Sequence, residues 1–316
     1  MRIRLAALLA GATIVLASPA VLAAEFINVL TGGTSGVYYP LGVALTQIYG
    51  KAIPEAKASV QATKASAENL NLLQAGRGEI AFTLGDALGD AWKGEADAGF
   101  KEPLKKLRAI AGIYPNYIQI VANADSGIRT LADPKGKRIA VGAPKSGTEL
   151  NARDIFKGAG MSYKDFAKVE YLPFGESVEL MKNRQLDATL ISAGLGVAAV
   201  RDLATAVPIV IVPIPPEVVT KIGEAAYQAG AIPADTYKGQ TAAIPTVAVQ
   251  NFLVTHDGVP ADTVYAMTKS MFDNLDQMSA AHAAAKAIDK TKAAAGMPAP
   301  LHPGAEKYYR EAGLVK

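Results

Sequence analysis

The sequence predicts a two-lobed α/β protein, each lobe a mostly parallel sheet flanked by helices, with a cleft and a hinge between the lobes. Three observations predict it. Short apolar strands alternate with amphipathic helical stretches along the chain. A helix-then-strand unit recurs at an offset of 108 residues. A late apolar run, Ile244 to Thr255, brings the chain back after the second half is complete.

The predicted strands are 26–30, 80–84, 117–122, 138–142, 187–191, 208–212 and 246–254, and the predicted helices 38–51, 67–75, 149–159, 176–183 and 261–287. The repeat aligns the stretch from Glu68 with that from Glu176 without a gap, pairing Leu72 with Leu180, Leu73 with Met181 and Glu79 with Asp187. Upstream of each copy a strand runs into a polar loop and then a helix: Phe26 to Leu30 leads into Thr31 to Gly36, and Ile139 to Gly142 into Ala143 to Thr148. Two lobes built on one plan result: 25–115 with 245–316, and 116–244. The chain crosses between them more than once, which makes a hinge.

Ahead of the first strand, Arg2 and Arg4 precede the apolar run Leu5 to Ala17, which Ser18-Pro19 breaks before Val21-Leu22-Ala23-Ala24. This order is that of a secretory signal peptide, 1–24. A run of 13 residues is short of the ~20 needed to span a bilayer. Cleavage near Ala24 turns the formal charge of +3 into 30 basic against 29 acidic residues, so the basic balance is no argument for nucleic acid. An exported, periplasmic monomer is expected. The absence of cysteine removes thiol nucleophiles, disulfides and cysteine-bound metal, and no cofactor or metal is expected.

In sheets of this kind ligands sit at the carboxyl ends of strands, where three hydroxyl-rich loops fall. Thr31 to Gly36, Thr63-Lys64-Ala65-Ser66 and Lys145-Ser146-Gly147-Thr148 each precede a helix, whose exposed N–H groups and dipole suit an anion. Ser66 and Thr148 serve equally well as plain helix caps. Asp86 comes directly after a strand and is a candidate ligand-facing acid or a cap, while Tyr38, Tyr39, Trp92 and Tyr114 are candidates for cleft lining or for core. Competing motifs fall short. Gly194 to Ala199 fits a dinucleotide fingerprint, but prolines 208, 213, 215 and 216 interrupt the segment between it and Glu217; Gly142 to Gly147 has P-loop spacing but Thr148-Glu149 where Lys-Ser/Thr is required. His256, His282 and His302 match no metal spacing and read as exposed or capping residues.

Thr31 to Gly42, Val60 to Thr63 with Glu68-Asn69-Leu70, Val141 to Pro144 with Ser146 to Glu149, and Leu301 to Ala305 resemble the TAXI family, the periplasmic solute-binding proteins of TRAP-type transporters. The resemblance runs from about Phe26 to Gly313. It implies a class II periplasmic-binding fold that closes on a small organic acid or amino acid and delivers it to TRAP membrane subunits. The site residues it implies are Gly33, Thr34 and Tyr38, then Thr63, Ser66 and Asn69, and from the opposite lobe Ser146, Gly147 and Thr148. Asp86 and the turn from Ser192 to Gly194 are added. The family often has glycine where this chain has Lys64 and Lys145, and Gln-Ser where it has Leu84-Gly85. Lys64 and Lys145 in facing loops would favour a ligand with two carboxylates and no ammonium, such as 2-oxoglutarate or a C4 dicarboxylate; turned to solvent they would do nothing. Glutamate or glutamine remains the alternative ligand, and an exported α/β enzyme using Asp86 or Glu149, or a ligand sensor, the alternative class.

Overall fold

A computed structural model of the protein describes residues 26–54 and 56–315; the expected signal peptide lies outside the described residues. The first half runs β1 (Phe26–Leu30), α1 (Tyr38–Ala52), β2 (Lys57–Gln61), α2 (Ser66–Gln74) and β3 (Ile80–Leu84), with its strands side by side and parallel in the order β2-β1-β3. After α3 (Gly85–Lys93) comes the long strand β4 (Leu107–Asn123). The second half then repeats the plan as β5 (Arg138–Ala140), α4 (Gly147–Gly158), β6 (Lys168–Glu170), α5 (Phe174–Lys182) and β7 (Ala188–Ala193), parallel in the order β6-β5-β7.

The repeat seen in the sequence is structural. α2 and α5 start and end 108 residues apart, and so do the first residues of β3 and β7. It extends to side chains: Glu79 accepts the Asn28 N–H at 2.6 Å, and Asp187 accepts the Arg138 N–H at 2.8 Å. In each half a carboxylate just before the third strand ties down the first. The Arg138 guanidinium, 2.7 Å from Asp187, holds that carboxyl below the usual carboxylate range.

The remainder of the chain is α6 (Ala198–Ala206), β8 (Ile209–Val212), α7 (Pro216–Ile222), β9 (Tyr227–Ile232), the second long strand β10 (Ile244–His256), α8 (Ala261–Asp273), α9 (Leu275–Ala281) and α10 (Pro303–Glu311). β10 flanks β3, β4 flanks β7, and β4 and β10 pair with each other, so one sheet runs through both halves. Each half is parallel only in its own three strands, because every strand ladder made by β4 and β10 is antiparallel. The β4–β10 ladder slips between Gln250 and Phe252, where Ile113 and Tyr114 together face Asn251, and again between Leu253 and Val254. These bulges sharpen the local bend and re-aim side chains.

Three expectations from the sequence are corrected. The helix expected over 261–287 is three pieces, α8, α9 and a 3₁₀ turn at Ala283–Ala287. The Asn274 side chain donates to the Ser270 carbonyl at 2.8 Å and competes with the helix. Strands β2, β6 and β9 were not predicted: β6 has three residues, and β2 and β9 carry Lys, Ser, Gln, Ala and Gly where apolar alternation would signal a strand. The helix α3 was not among the expected helices; it begins at Gly85, directly after β3, with Leu84 at its N-cap and Asp86 in its first turn, so Asp86 is not its cap. The three histidines do act as local acceptors, each ring Nδ1 taking a backbone N–H: Gly258 on His256, Ala284 on His282 and Gly304 on His302. Among the described residues no helix is long and apolar enough to cross a membrane.

Candidate ligand-binding site

A cleft lies between the two halves, lined by residues of both; small-molecule sites are commonly found in such inter-lobe clefts. Four helices begin at it: Val37 and Tyr38 open α1, Ser66 opens α2, Gly147 and Thr148 open α4, and Phe174 opens α5, all lining the cleft. The first N–H groups of a helix have no acceptor within it. Those of Ser66, Ala67, Gly147 and Thr148 find none elsewhere among the described residues. Together the four termini make the cleft a site of positive potential with donors to spare. Ser146 caps α4 by accepting the Glu149 N–H at 3.1 Å, which leaves the N–H groups of Gly147 and Thr148 for a ligand.

The halves meet here. The Glu68 N–H donates to the Lys145 carbonyl at 3.2 Å and the Ala199 N–H to the Ser35 carbonyl at 3.3 Å. Gly147 lies so close to the other half that a Cβ on it would stand 2.5 Å from Ser66 Oγ and 2.6 Å from Leu84 Cδ1. Just before α2, Ala65 has φ 70° and ψ −149°, a conformation all but reserved for glycine, which costs of order 1–3 kcal/mol.

The floor comes from β4, β7 and β10. The Tyr38 hydroxyl donates to Asn251 Oδ1; the Asn251 amide donates to Asn116 Oδ1 at 2.7 Å and to the Tyr114 carbonyl at 2.8 Å; the Asn116 amide donates to the Ser192 carbonyl at 2.9 Å. This buried chain of amides spans three strands and fixes Tyr38, Asn116 and Ser192 against the cleft. Burial holds the Tyr38 and Tyr114 phenols well above their ordinary range, so both keep their protons.

The residues expected from the sequence divide accordingly. Gly33, Tyr38, Thr63, Lys64, Ser66, Ser146, Gly147, Thr148 and Ser192 line the cleft. Thr34 lines an adjoining recess with Ser35, Pro173 and Glu176. Asn69 is behind the wall, its amide donating to the Thr31 carbonyl at 2.7 Å and the Phe82 carbonyl at 2.9 Å, and Thr63 Oγ1 lies 2.7 Å from its Oδ1. Asn69 thus shapes the loops rather than presenting a group to the cleft. Replacing it with alanine should remove two buried amide hydrogen bonds, with the Thr31 carbonyl still held by the Thr63 hydroxyl at 2.8 Å, and lower stability by about 1–3 kcal/mol, read as a lower urea midpoint at unchanged slope.

Lys145 is exposed, in the left-handed region at φ 62°, and outside the lining. Asp86 is also outside it: the carboxylate is 5% exposed and accepts from Asn151 at 2.6 Å and Tyr227 at 2.9 Å. Burial pushes its pKa up to about 7. Gly194 is outside the lining, packed between Tyr114 and Ala284, and a Cβ there would stand 2.8 Å from Ala284 Cβ and 3.1 Å from the Tyr114 ring. Of the aromatics, Tyr38 and Tyr114 line the cleft and Trp92 lies under Lys105 Nζ, 4.1 Å away. Sequence reasoning missed Asn116, Pro173 and Phe174; the alignment of the Glu176 stretch with the Glu68 stretch, read two residues upstream, was the signal that placed Phe174 opposite Ser66.

The fold, two lobes with a cleft between them, is similar to that of periplasmic binding proteins. The chain belongs to the NMT1-like family, whose profile matches residues 29–313. Among solved structures it is similar to a putative L-cystine ABC transporter protein from Listeria monocytogenes (14% identity, 84% of this chain and 98% of that chain, TM-score 0.52). It is also similar to a binding protein component of an ABC phosphonate transporter from Pseudomonas aeruginosa (13%, 83% and 79%, TM-score 0.50), and to the alkanesulfonate-binding protein SsuA from Xanthomonas axonopodis pv. citri (17%, 82% and 74%, TM-score 0.48).

Proposed function

We propose that the protein is an exported solute receptor that binds a small organic acid between its lobes and hands it to the membrane subunits of a TRAP-type transporter. The observation that carries this reading is the meeting of four helix N-termini on one cleft. A fold shared with proteins of ABC transporters, one of them a binding protein component, supports it. So does the position of the two carboxylates an enzyme would have used: Asp86 is tied to Asn151 and Tyr227, and Glu149, 2% exposed, is paired with Arg153 at 2.6 Å. The TAXI-like motifs, from Thr31 to Gly42 through Leu301 to Ala305, support the TRAP partner over another transporter class.

The ligand favoured is a dicarboxylate such as 2-oxoglutarate or a C4 dicarboxylate. Among the described residues the cleft lining includes Lys64 and no Asp or Glu, so an ammonium group would enter a positive site without a counter-charge. Closure is then a result of binding: the ligand bridges donors of both halves and gains most when they meet. Calorimetric titration of the mature chain, unfolded and refolded to strip carried-over ligand, against dicarboxylates, oxoacids and acidic amino acids tests the reading. Binding of a dicarboxylate supports it; tight glutamate or glutamine binding replaces the ligand; turnover of a bound acid replaces the class.

The lysines separate in the same assay. Lys64→Ala should weaken dicarboxylate binding about tenfold, or ~1.4 kcal/mol, while Lys145→Ala should leave the Kd unchanged. Equal effects of the two replacements would show that Lys145 reaches the ligand.

A further inference from the structure

Two hydroxyls on the cleft floor have no partner. Tyr114 and Ser192 line the cleft, are 0% and 4% exposed, and neither Tyr114 OH nor Ser192 Oγ makes a hydrogen bond with the protein. Their neighbours are committed elsewhere: both ends of the Asn116 amide and of the Asn251 amide are used along the floor. A buried hydroxyl without a partner is a costly group to keep, and such groups in native structures call for a cause.

The fold spends structure on placing them. Tyr114 sits in the bulge where two residues of β4 face Asn251, and its carbonyl is held by the Asn251 amide. Its ring lies against Gly194, where a Cβ would come within 3.1 Å of the ring and 2.8 Å of Ala284 Cβ. Ser192 stands beside Ile118 across the β4–β7 ladder, with its carbonyl held by Asn116.

We infer that Tyr114 and Ser192 form a neutral oxygen-recognising subsite, which selects acids carrying an oxo or hydroxy group beside the carboxylates over the same acids without it. The inference rests on the organic-acid reading of the cleft and deepens it. The helix termini and Lys64 take the negative charge. Hydroxyls in that field are best used as donors to an uncharged oxygen, since an ammonium would be repelled by the same termini. A ligand that lacks the oxygen leaves both hydroxyls unpaired in the closed cleft, which is the kind of mismatch that discriminates strongly.

The test uses the mature chain and two series of probes that differ at one carbon: 2-oxoglutarate, 2-hydroxyglutarate, glutarate and glutamate, and oxaloacetate, malate and succinate. In the wild type the oxo or hydroxy member of at least one series should bind at least tenfold tighter than the deoxy member. Tyr114→Phe and Ser192→Ala should each cut that preference several-fold and together abolish it, with the Kd of the deoxy acid moved less than threefold. The unliganded variants should melt no lower than the wild type, because no protein hydrogen bond is removed; a merely structural role would lower the melting temperature and leave the preference alone. Equal binding of deoxy and oxygenated acids by the wild type, or a preference that survives the double replacement, overturns the inference and leaves the receptor reading standing. Failure of every acid to bind overturns both.

Discussion

Gly147→Val is expected to reduce ligand affinity by at least 100-fold, about 2.7 kcal/mol, while leaving the unliganded protein folded. Gly147 opens α4 and faces the other half, and even a single Cβ there would fall within 2.5 Å of Ser66 Oγ and 3.0 Å of Ser66 Cβ. Its backbone is not in the left-handed region, so the added side chain is compatible with its own chain and strains only the approach of the halves. Two branches more than the Cβ hold α2 and α4 apart. Donors from both halves then no longer reach one ligand, and the affinity left is that of an open cleft. Titration calorimetry gives the Kd; small-angle scattering checks the cause, since the variant's radius of gyration should stay constant on adding a ligand that contracts the wild type. Wild-type affinity in Gly147→Val would show that closure does not bring these helices together.

Between pH 4.5 and 7.5 the protein should lose stability as pH rises, and Asp86→Asn should remove a large part of that loss. Asp86 is buried where α3 meets α4 and β9, with its pKa raised by desolvation to about 7. Asp154 on α4, Glu224 ahead of β9 and Asp90 on α3 face the same space, and burial raises all three, Asp90 to about 6. Lys93, Lys157 and Arg153 are the cations nearby that oppose this. The Tyr227 hydroxyl lies 2.9 Å from Asp86 and 2.7 Å from Asp154, and its one hydrogen serves only one of them. A proton on Asp86 relieves the conflict.

A carboxyl raised in the folded state contributes stability that is fully present below its unfolded pKa, near 4, and is lost as pH rises through about 7. The slope is about 1.4 kcal/mol per pH unit for each such group. Asp187, lowered by Arg138, acts in the opposite sense and below this window. Thermal melts from pH 4.5 to 7.5 should show a shallower fall in Asp86→Asn and a higher melting temperature at the upper end. Identical slopes would mean that Asp86 is ionised throughout. Because α3 and α4 belong to different halves, ligand affinity should weaken over the same range, and less in the variant.

The parts legible in the sequence were those fixed by local pattern. The 108-residue repeat was visible because amphipathic helix and buried strand impose spacing on Leu72 and Leu180, and on Glu79 and Asp187, wherever the chain goes afterwards. The loops before α1, α2 and α4 were visible because turn chemistry is local too. Tyr114 was legible only as a candidate for cleft or core, and Asn116 not at all, since their positions depend on a bulge against Asn251, more than a hundred residues away. The displacement of Asp86 from the cleft depends likewise on Asn151 and Tyr227, and the break at Asn274 on a side chain choosing its own backbone over solvent.

The paired strands β4 and β10 have a mechanical meaning. In the proposed receptor, a connection made of two adjacent, hydrogen-bonded strands would act as a leaf spring, bending at the slip opposite Asn251, where the ladder is already interrupted, with the ladder kept on either side. Opening and closing of that receptor would bend this ladder and not break it, so a few N–H groups at the helix termini would be enough to tip the balance. The flexing point carries Asn251, which touches Tyr38 and Asn116 directly. A ligand lying on that floor rests on the spring itself.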